Sequence, residues 1–177
     1  FQTWRLVHNR GVLPRIRSMA HNAHSSQWLD HLRSTALSES PLVVHVRLGD
    51  YKDNPHFGKV SASYYFRAIE ELGGVGNLGR IWLFSDEPDA ALTMLGPQFS
   101  ESKPRIISPT RVASSTDTLR AMALGTHFVL SNSTFGWWGA TLSASNHPSV
   151  VVPEPWFVEE QSPVDLVVPN WIALPRE

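Results

Sequence analysis

The segment HVRLGDY, residues 45–51, holds the side chains best suited to bind an anion. It follows the apolar run 42–44, and a short β-branched run between Pro41 and Gly49 is typical of a buried strand. Arg47 then lies at the carboxyl end of that strand, which is the edge of an open α/β sheet where ligands bind. Because a guanidinium presents a planar fork of donors that matches phosphate oxygens, we expect Arg47 to hold an anionic ligand.

Two neighbours of Arg47 have more than one chemical role open to them. Alternation along the strand places His45 on the same face as Arg47, with Val44 and Val46 on the other face. His45 is therefore either a ligand contact or a hydrogen-bonded core histidine. Asp50 is suited to take a proton from a hydroxyl group, and equally suited to hold Arg47 in place or to cap the turn.

The segment SNSTFGWWGA, residues 131–140, supplies a second set of polar groups. It lies between a predicted strand, 126–130, and a predicted helix, 137–145. A strand-to-helix turn presents free backbone N–H groups and the positive end of the helix dipole, which suits phosphate. The hydroxyls of Ser133 and Thr134 add donors there. The alternative is an ordinary capping cluster before a tryptophan-rich core helix.

Two other carboxylates lie near predicted element ends. Asp86, within FSDEP, follows the predicted strand 80–85 and has the same alternatives as Asp50: to accept a proton, to hold Arg47 in place or to cap the turn. It is also a candidate N-cap of the next helix. We expect Asp117, or Thr116 beside it, to open a helix that runs to residue 124.

The composition excludes several kinds of site. The chain has no cysteine, which rules out disulfides, thiolate metal sites and a cysteine nucleophile. Of the eight histidines, His21 and His24 form the one close pair, and no carboxylate joins them at ligand spacing. The sequence also lacks a D-x-D pair that could hold a nucleotide-bound divalent ion. We therefore expect no metal. A net charge of −1 argues against a nucleic-acid partner, and no run of about 18 apolar residues predicts a membrane span.

Alternating strands and helices position these residues. The predicted strands are 42–47, 80–85, 105–108, 126–130 and 150–152, and the predicted helices are 61–72, 88–95, 117–124 and 137–145. This alternation is typical of an α/β fold with a parallel sheet covered by helices on both faces. We expect residues 41–177 to form this domain, residues 1–40 to form a partial helical segment, and the tail after Pro153 to wrap the surface.

HVRLGDY and SNSTFGWWGA together resemble the paired motifs of the alpha-1,2-fucosyltransferase family, H-x-R-x-G-D-Y and S-N-S-[ST]-F-x-W-W-[GA]-A. FSDEP and the aspartate at position 117 also resemble that family, and the similarity covers residues 42–171. Leu48 departs from the pattern, because members often carry a second arginine there, which leaves one extra phosphate or acceptor contact in doubt. The glycine-rich G-x-G-N-x-x-F-Q-Y segment of the family's first half does not occur in this sequence.

The resemblance therefore implies the carboxy-terminal, nucleotide-sugar-binding half of a GT-B-type glycosyltransferase with a Rossmann-like sheet. Residues 1–40 would then be a remnant of the amino-terminal half, which is missing or replaced, and the absent initiator methionine agrees with a piece of a longer protein. The implied reaction transfers L-fucose from GDP-L-fucose to the 2-hydroxyl of a galactose-containing acceptor with inversion. The implied location is cytoplasmic or membrane-associated in a bacterium and the Golgi lumen in a eukaryote.

The resemblance also assigns roles to individual residues. Arg47 would bind the donor diphosphate, and Ser133 with Thr134 would hold the same phosphates, while Asp50 is the second catalytic candidate. His45 and Asp117 match positions that contact the guanosine in related enzymes. Phe135, in the tryptophan-rich motif, joins these substrate-binding residues. No cofactor is implied, since arginine and a helix dipole can neutralise the leaving diphosphate. The alternatives are a GDP-binding module that is inactive alone and a transferase that uses another GDP-sugar.

Overall fold

Helices and strands alternate along most of the chain in the computed structural model, which describes residues 3–7, 11–51, 54–109, 113–145, 147–158 and 162–177. The helices α1 (Trp4–Val7), α2 (Val12–Asn22) and α3 (Gln27–Glu39) precede the first strand. The later elements are β1 (Leu42–Val46), α4 (Ala62–Glu71), β2 (Ile81–Ser85), α5 (Pro88–Glu101), β3 (Arg105–Ile106), α6 (Ser115–Met122), β4 (His127–Val129), α7 (Thr134–Thr141), β5 (Ser149–Glu154) and β6 (Ile172–Pro175).

The strands of the described residues form a six-stranded sheet in the order β3-β2-β1-β4-β5-β6. Every neighbouring pair in this sheet is parallel. This strand order occurs in nucleotide-binding α/β folds, whose ligands bind beyond the carboxyl ends of the strands, where the order reverses. The order reverses between β1 and β4 in this sheet. The predicted Rossmann-like parallel sheet is confirmed.

The two faces of the sheet are covered by different helices. Val43 of β1 belongs to a buried cluster with side chains of α3, α6 and α7, including Trp137. Val44 belongs to a second cluster with side chains of α4 and α5, including Tyr65. Because β1 is covered on both sides, all five of its residues are buried, which is why its sequence is a nearly continuous apolar run.

Serine residues cap α4 and α6, and the cap of α6 lies earlier in the sequence than predicted. Ser61 caps α4 as predicted, because its Oγ accepts a hydrogen bond from the amide of Tyr64 at 3.3 Å. Ser114 caps α6 in the same way, with its Oγ 3.1 Å from the amide nitrogen of Asp117. The prediction that Thr116 or Asp117 opens this helix is therefore wrong, and Asp117 lies inside its first turn.

One helix extends beyond its predicted end, and the tail contains a strand that was not predicted. Helix α5 continues past the expected end at residue 95, across a kink where Gly96 has a φ of 79° and is followed by Pro97. The tail contains a sixth strand, β6, which pairs in parallel with β5 through Val151 and Ile172. The expectation that the tail only wraps the surface is wrong for β6, whose alternating burial is that of an edge strand.

The residues before β1 pack against the sheet. Leu29 and Leu32 of α3 are buried in the same cluster as Val43. At the end of α3, Glu39 accepts a 2.5 Å hydrogen bond from Nε1 of the buried Trp82 and a 3.0 Å bond from Nε of Arg105. This carboxylate links α3 to β2 and β3, while the division of the chain at residue 40 stays a prediction. Across the described ranges, no helix has the length and apolar character needed to cross a membrane.

Candidate functional site

A cleft of about 350 Å³ opens beyond the carboxyl ends of β1, β2 and β3. It is bordered by one face of α6 and by the start of α7. The side chains that line it are His45, Arg47, Phe84, Ser85, Asp86, Ile107, Pro109, Ser115, Thr118, Met122 and Phe135. The cleft therefore combines an apolar interior with hydroxyl groups and one guanidinium, which is the make-up expected of a small-molecule site.

Arg47 enters this cleft with one edge of its guanidinium already held. Its Nε and Nη2 donate to Oδ1 of Asp50 at 3.0 and 2.8 Å, and Nε lies 3.3 Å from Oδ2 of Asp86. Its Cζ lies 5.6 Å from the ring centroid of Tyr51, in a cation–π contact. The guanidinium is thus oriented by two carboxylates and a ring, and its side chain remains 33 % exposed.

Asp50 contacts Arg47, as expected if its role is to hold Arg47 in place. Its side chain is 65 % exposed, so the ion pair by itself contributes well under 1 kcal/mol. The geometry agrees with a residue that holds Arg47 in place. The other alternative, a base for the acceptor hydroxyl, stays a prediction.

Asp86 binds the turn that follows β1. Its Oδ1 accepts a hydrogen bond from the amide of Leu48 at 3.1 Å, and its Oδ2 accepts one from the amide of Gly49 at 2.9 Å. The N-cap position of α5 belongs to Glu87, which makes no side-chain capping bond. The interpretation of Asp86 as the N-cap of that helix is therefore wrong.

His45 and Ser131 join β1 to the loop after β4. Nδ1 of His45 lies 2.9 Å from Oγ of Ser131, and the amide of Ser131 donates to the carbonyl of His45 at 3.0 Å. Burial lowers the pKa of His45 to about 4, so the imidazole is neutral at pH 7. A Cβ on Gly136 would lie 2.7 Å from Nδ1 of His45, so the absence of a side chain there lets α7 approach the ring.

The residues at the start of α7 lie beside the cleft, but they differ in burial and in whether they line it. Ser133 is the N-cap residue and is buried, Thr134 is exposed, and Phe135 lines the cleft. Burial raises the pKa of Tyr51, and the positive charge of Arg47 and, to a smaller extent, the side chain of Ser133 partly offset this rise. Tyr51 thus links the Arg47 guanidinium, which it contacts through its ring, to the electrostatic surroundings of the α7 start.

Asp117 lies away from the cleft wall. It is buried, and its Oδ1 accepts a hydrogen bond from Nη1 of Arg120 at 3.2 Å. Arg120 also donates to the carbonyls of His24 and Ala23, each at 2.9 Å. The pair thus ties α6 to the segment after α2. The guanosine contact expected of Asp117 stays a prediction, and this geometry does not support it.

The cleft includes residues that the sequence motifs do not mark. Ser115, Thr118 and Met122 lie on α6 and all line the cleft. Their spacing of three and four residues places them on one face of that helix. That spacing is the signal that would have identified them, although two hydroxyl residues and a methionine are too common to indicate a site alone.

A metal centre receives no support from the arrangement of side chains. Among the residues that the structure describes, no group of three or more histidine, aspartate or glutamate side chains could hold an ion. Arg47 and the amino end of α7 are the groups suited to stabilise negative charge on a bound ligand. The expectation of no metal stays a prediction.

Two curated proteins are similar to this chain. The O-antigen biosynthesis glycosyltransferase WbnK of Escherichia coli is 29 % identical over 135 residues, which is 74 % of this chain and 43 % of WbnK. The alpha-1,2-colitosyltransferase of Escherichia coli is 25 % identical over 160 residues, which is 88 % of this chain and 53 % of that protein. The chain thus spans about half the length of the curated relatives it matches.

A solved structure and a family profile complete the comparison. A glycosyl transferase family 9 protein from Veillonella parvula superposes with a TM-score of 0.47 at 15 % identity, covering 86 % of this chain and 41 % of its own. The profile of Glycosyl transferase family 11 matches residues 15–174, nearly the whole sequence and both motifs around the cleft. The chain belongs to glycosyltransferase family 11.

Proposed function

We propose that this chain is the donor-binding part of an inverting transferase that moves L-fucose from GDP-L-fucose to the 2-hydroxyl of a galactose-containing acceptor. One observation carries the proposal: Arg47 is held at the mouth of a cleft beyond the carboxyl ends of β1, β2 and β3, close to the start of α7. A guanidinium beside a helix amino terminus suits a diphosphate. The motifs that surround the cleft are those that resemble the alpha-1,2-fucosyltransferases.

In the proposed reaction the acceptor hydroxyl oxygen attacks C1 of fucose. The bond between C1 and the diphosphate oxygen breaks, its electron pair stays on GDP, and the hydroxyl proton passes to a base. A single displacement inverts the configuration at C1. Arg47 would stabilise the diphosphate as its negative charge grows, so it would bind the transition state more tightly than the donor.

The remaining cleft residues suit the nucleoside. Ile107, Met122 and Phe135 form an apolar part that can accept the faces of a purine, and the hydroxyls of Ser115 and Thr118 can bond to its polar edge. With Asp117 paired to Arg120, these hydroxyls are better placed than Asp117 to distinguish guanine from other bases.

A second donor sugar has one observation in its favour. The chain resembles a protein described as an alpha-1,2-colitosyltransferase, which acts on a sugar other than fucose. This proposal assigns the cleft residues named so far to the nucleotide, so the choice between fucose and another sugar rests on a donor panel.

Calorimetric titration with GDP, ADP and UDP tests the nucleotide part of the proposal. We expect GDP to bind at least tenfold more tightly than ADP or UDP, and equal affinities would contradict it. Hydrolysis and transfer assays with GDP-fucose and other GDP-sugars then test the reaction. Binding without turnover would favour the alternative, a GDP-binding module that requires a second half for activity.

Metal dependence provides a separate test. Since Arg47 and the helix dipole can offset the diphosphate charge, we expect transfer to continue in EDTA. A loss of activity that Mg²⁺ or Mn²⁺ restores would contradict this part of the proposal.

A further inference from the structure

We infer that Asp86 is a positioning residue that fixes the turn after β1 and thereby orients the guanidinium of Arg47. The inference rests on the proposed function only in that Arg47 is taken to hold the donor diphosphate. Of the roles that the sequence leaves open for Asp86, holding Arg47 in place is the one that this inference extends, by adding the amides of the turn after β1.

Both oxygens of Asp86 are engaged by the residues that follow Arg47. Oδ1 accepts from the amide of Leu48 at 3.1 Å and Oδ2 from the amide of Gly49 at 2.9 Å. A carboxylate that receives two consecutive amides fixes the backbone of both residues, and its charge makes each bond stronger than a neutral one. The turn that carries Arg47 is therefore held by the neighbouring strand, β2.

The same carboxylate contacts the side chain of Arg47 directly. Oδ2 lies 3.3 Å from Nε of Arg47, and the side chain of Asp86 is 22 % exposed. Nε of Arg47 is thus shared between Asp86 and Asp50. These contacts engage Nε and Nη2 of Arg47, the edge of the guanidinium that faces the two carboxylates.

Gly49 explains why the carboxylate approaches so closely. A Cβ at position 49 would overlap Oδ2 of Asp86, so only glycine leaves room for this bond. The requirement is one of close approach to a neighbouring group. It accounts for the glycine two residues after Arg47.

These contacts argue against Asp86 as the base for the acceptor hydroxyl. A base needs a lone pair directed at the hydroxyl proton. Both oxygens of Asp86 already receive amide bonds, and one of them also lies beside a guanidinium. Asp86 is therefore suited to act through Arg47.

The substitution Asp86→Asn tests the inference. An asparagine side chain accepts with one atom and donates with the other, so one of the two amides loses its acceptor. Asp89→Asn is the matched control, because Asp89 is exposed in the first turn of α5 and the charge change is the same. Hydrogen exchange at the amides of Leu48 and Gly49 is measured in all three proteins without nucleotide.

We expect Asp86→Asn to speed exchange at these amides by roughly tenfold or more, and Asp89→Asn to leave it unchanged. We also expect GDP to bind about tenfold more weakly to Asp86→Asn, while guanosine, which lacks phosphate, binds as before. A double-mutant cycle with Arg47→Ala, read out as GDP affinity, distinguishes a residue that acts through Arg47 from one that only stabilises the fold. If Asp86 acts through Arg47, adding Asp86→Asn to Arg47→Ala causes no further loss of GDP affinity.

Three results would overturn the inference: unchanged exchange in Asp86→Asn, equal losses for GDP and guanosine, or effects of the two substitutions that add in full. If Asp86→Asn does not fold, the unmutated chain still tests the inference. The amides of Leu48 and Gly49 must then exchange more slowly than the amide of Asp50, and equal exchange rates would overturn it. Failure of the unmutated chain to bind GDP would instead reject the proposed donor, and the exchange rates would still show whether Asp86 holds the turn.

Discussion

The imidazole of His45 and the hydroxyl of Ser131 lie 2.9 Å apart, although the two residues are 86 positions apart in the sequence. A backbone bond between the same residues runs alongside this contact. The pair therefore fixes HVRLGDY against SNSTFGWWGA at the point where the strand order reverses. The parallel register of β1 and β4 places the two motifs side by side at the cleft.

The buried imidazole predicts a pH dependence of stability. Burial lowers the pKa of His45 to about 4 in the folded protein, whereas an unfolded histidine titrates near 6.5. Between these values the unfolded chain binds more protons, so the free energy of unfolding falls as the pH falls from about 6.5 to about 4. The expected loss is about 3 kcal/mol at most, measured by urea unfolding at pH 7 and pH 4.

His45→Gln isolates this effect. The variant should show a smaller loss over the same pH range, while any contribution from His127, whose pKa burial also lowers, is common to both proteins. Identical pH profiles would show that His45 does not titrate as its burial implies.

The fork of Arg47 predicts that lysine cannot replace it. In protein that is active in transfer, Arg47→Lys should lower kcat/KM by about a hundredfold, or about 2–3 kcal/mol, because the charge remains but the bidentate geometry is lost. Arg33→Lys is the matched control, since Arg33 pairs with Asp30 at the same i,i+3 spacing but does not line the cleft. Normal turnover by Arg47→Lys would remove Arg47 from the site.

The contact between α7 and His45 predicts that Gly136→Ala is destabilising. The added methyl group would lie 2.7 Å from the imidazole, and the cost of overpacking, about 1–3 kcal/mol, exceeds the gain of up to about 1 kcal/mol in helix propensity. Chemical denaturation measures the net loss. Gly11→Ala adds a carbon with nothing within 4 Å and should cost less, up to about 1 kcal/mol, because Gly11 is the N-cap residue of α2 and alanine is a poorer cap. Equal stability of both variants would contradict the prediction.

From the contacts of Glu39 we expect the free energy of unfolding to fall in acid and when Glu39 is substituted. The hydrogen bond from Arg105, more than any other contact, holds the pKa of Glu39 below its usual value. The stabilisation is therefore complete above pH 4.5, the unperturbed value, and is lost as the pH falls through the lower folded pKa.

Glu39→Gln should lower the free energy of unfolding by about 1–3 kcal/mol at pH 7, because Arg105 and the Trp82 indole lose a charged acceptor. Glu101→Gln, at the exposed end of α5, provides the control in the same denaturation experiment. A stability loss no greater than that of this control would show that the Glu39 contacts are energetically neutral.

The sequence by itself determined the elements whose signals are local. The apolar run of β1, the serine cap of α4 and the alternation of strands with helices depend on neighbouring residues, and together they predict a parallel sheet. Arg47 falls at the functional edge for the same reason, because it follows directly from the end of a buried strand. The resemblance of the two motifs added the family, which the comparison with known proteins confirmed.

The tertiary structure decided the roles of the carboxylates. Asp86 and Asp117 both looked like helix caps or ligand contacts, since the same side chain serves either purpose equally well in a local pattern. Asp86 binds amides 37 and 38 residues away, whereas Asp117 pairs with an arginine that also bonds to carbonyls 96 and 97 residues back along the chain. Such partners are set by the packing of whole elements, and no short-range spacing in the sequence encodes them.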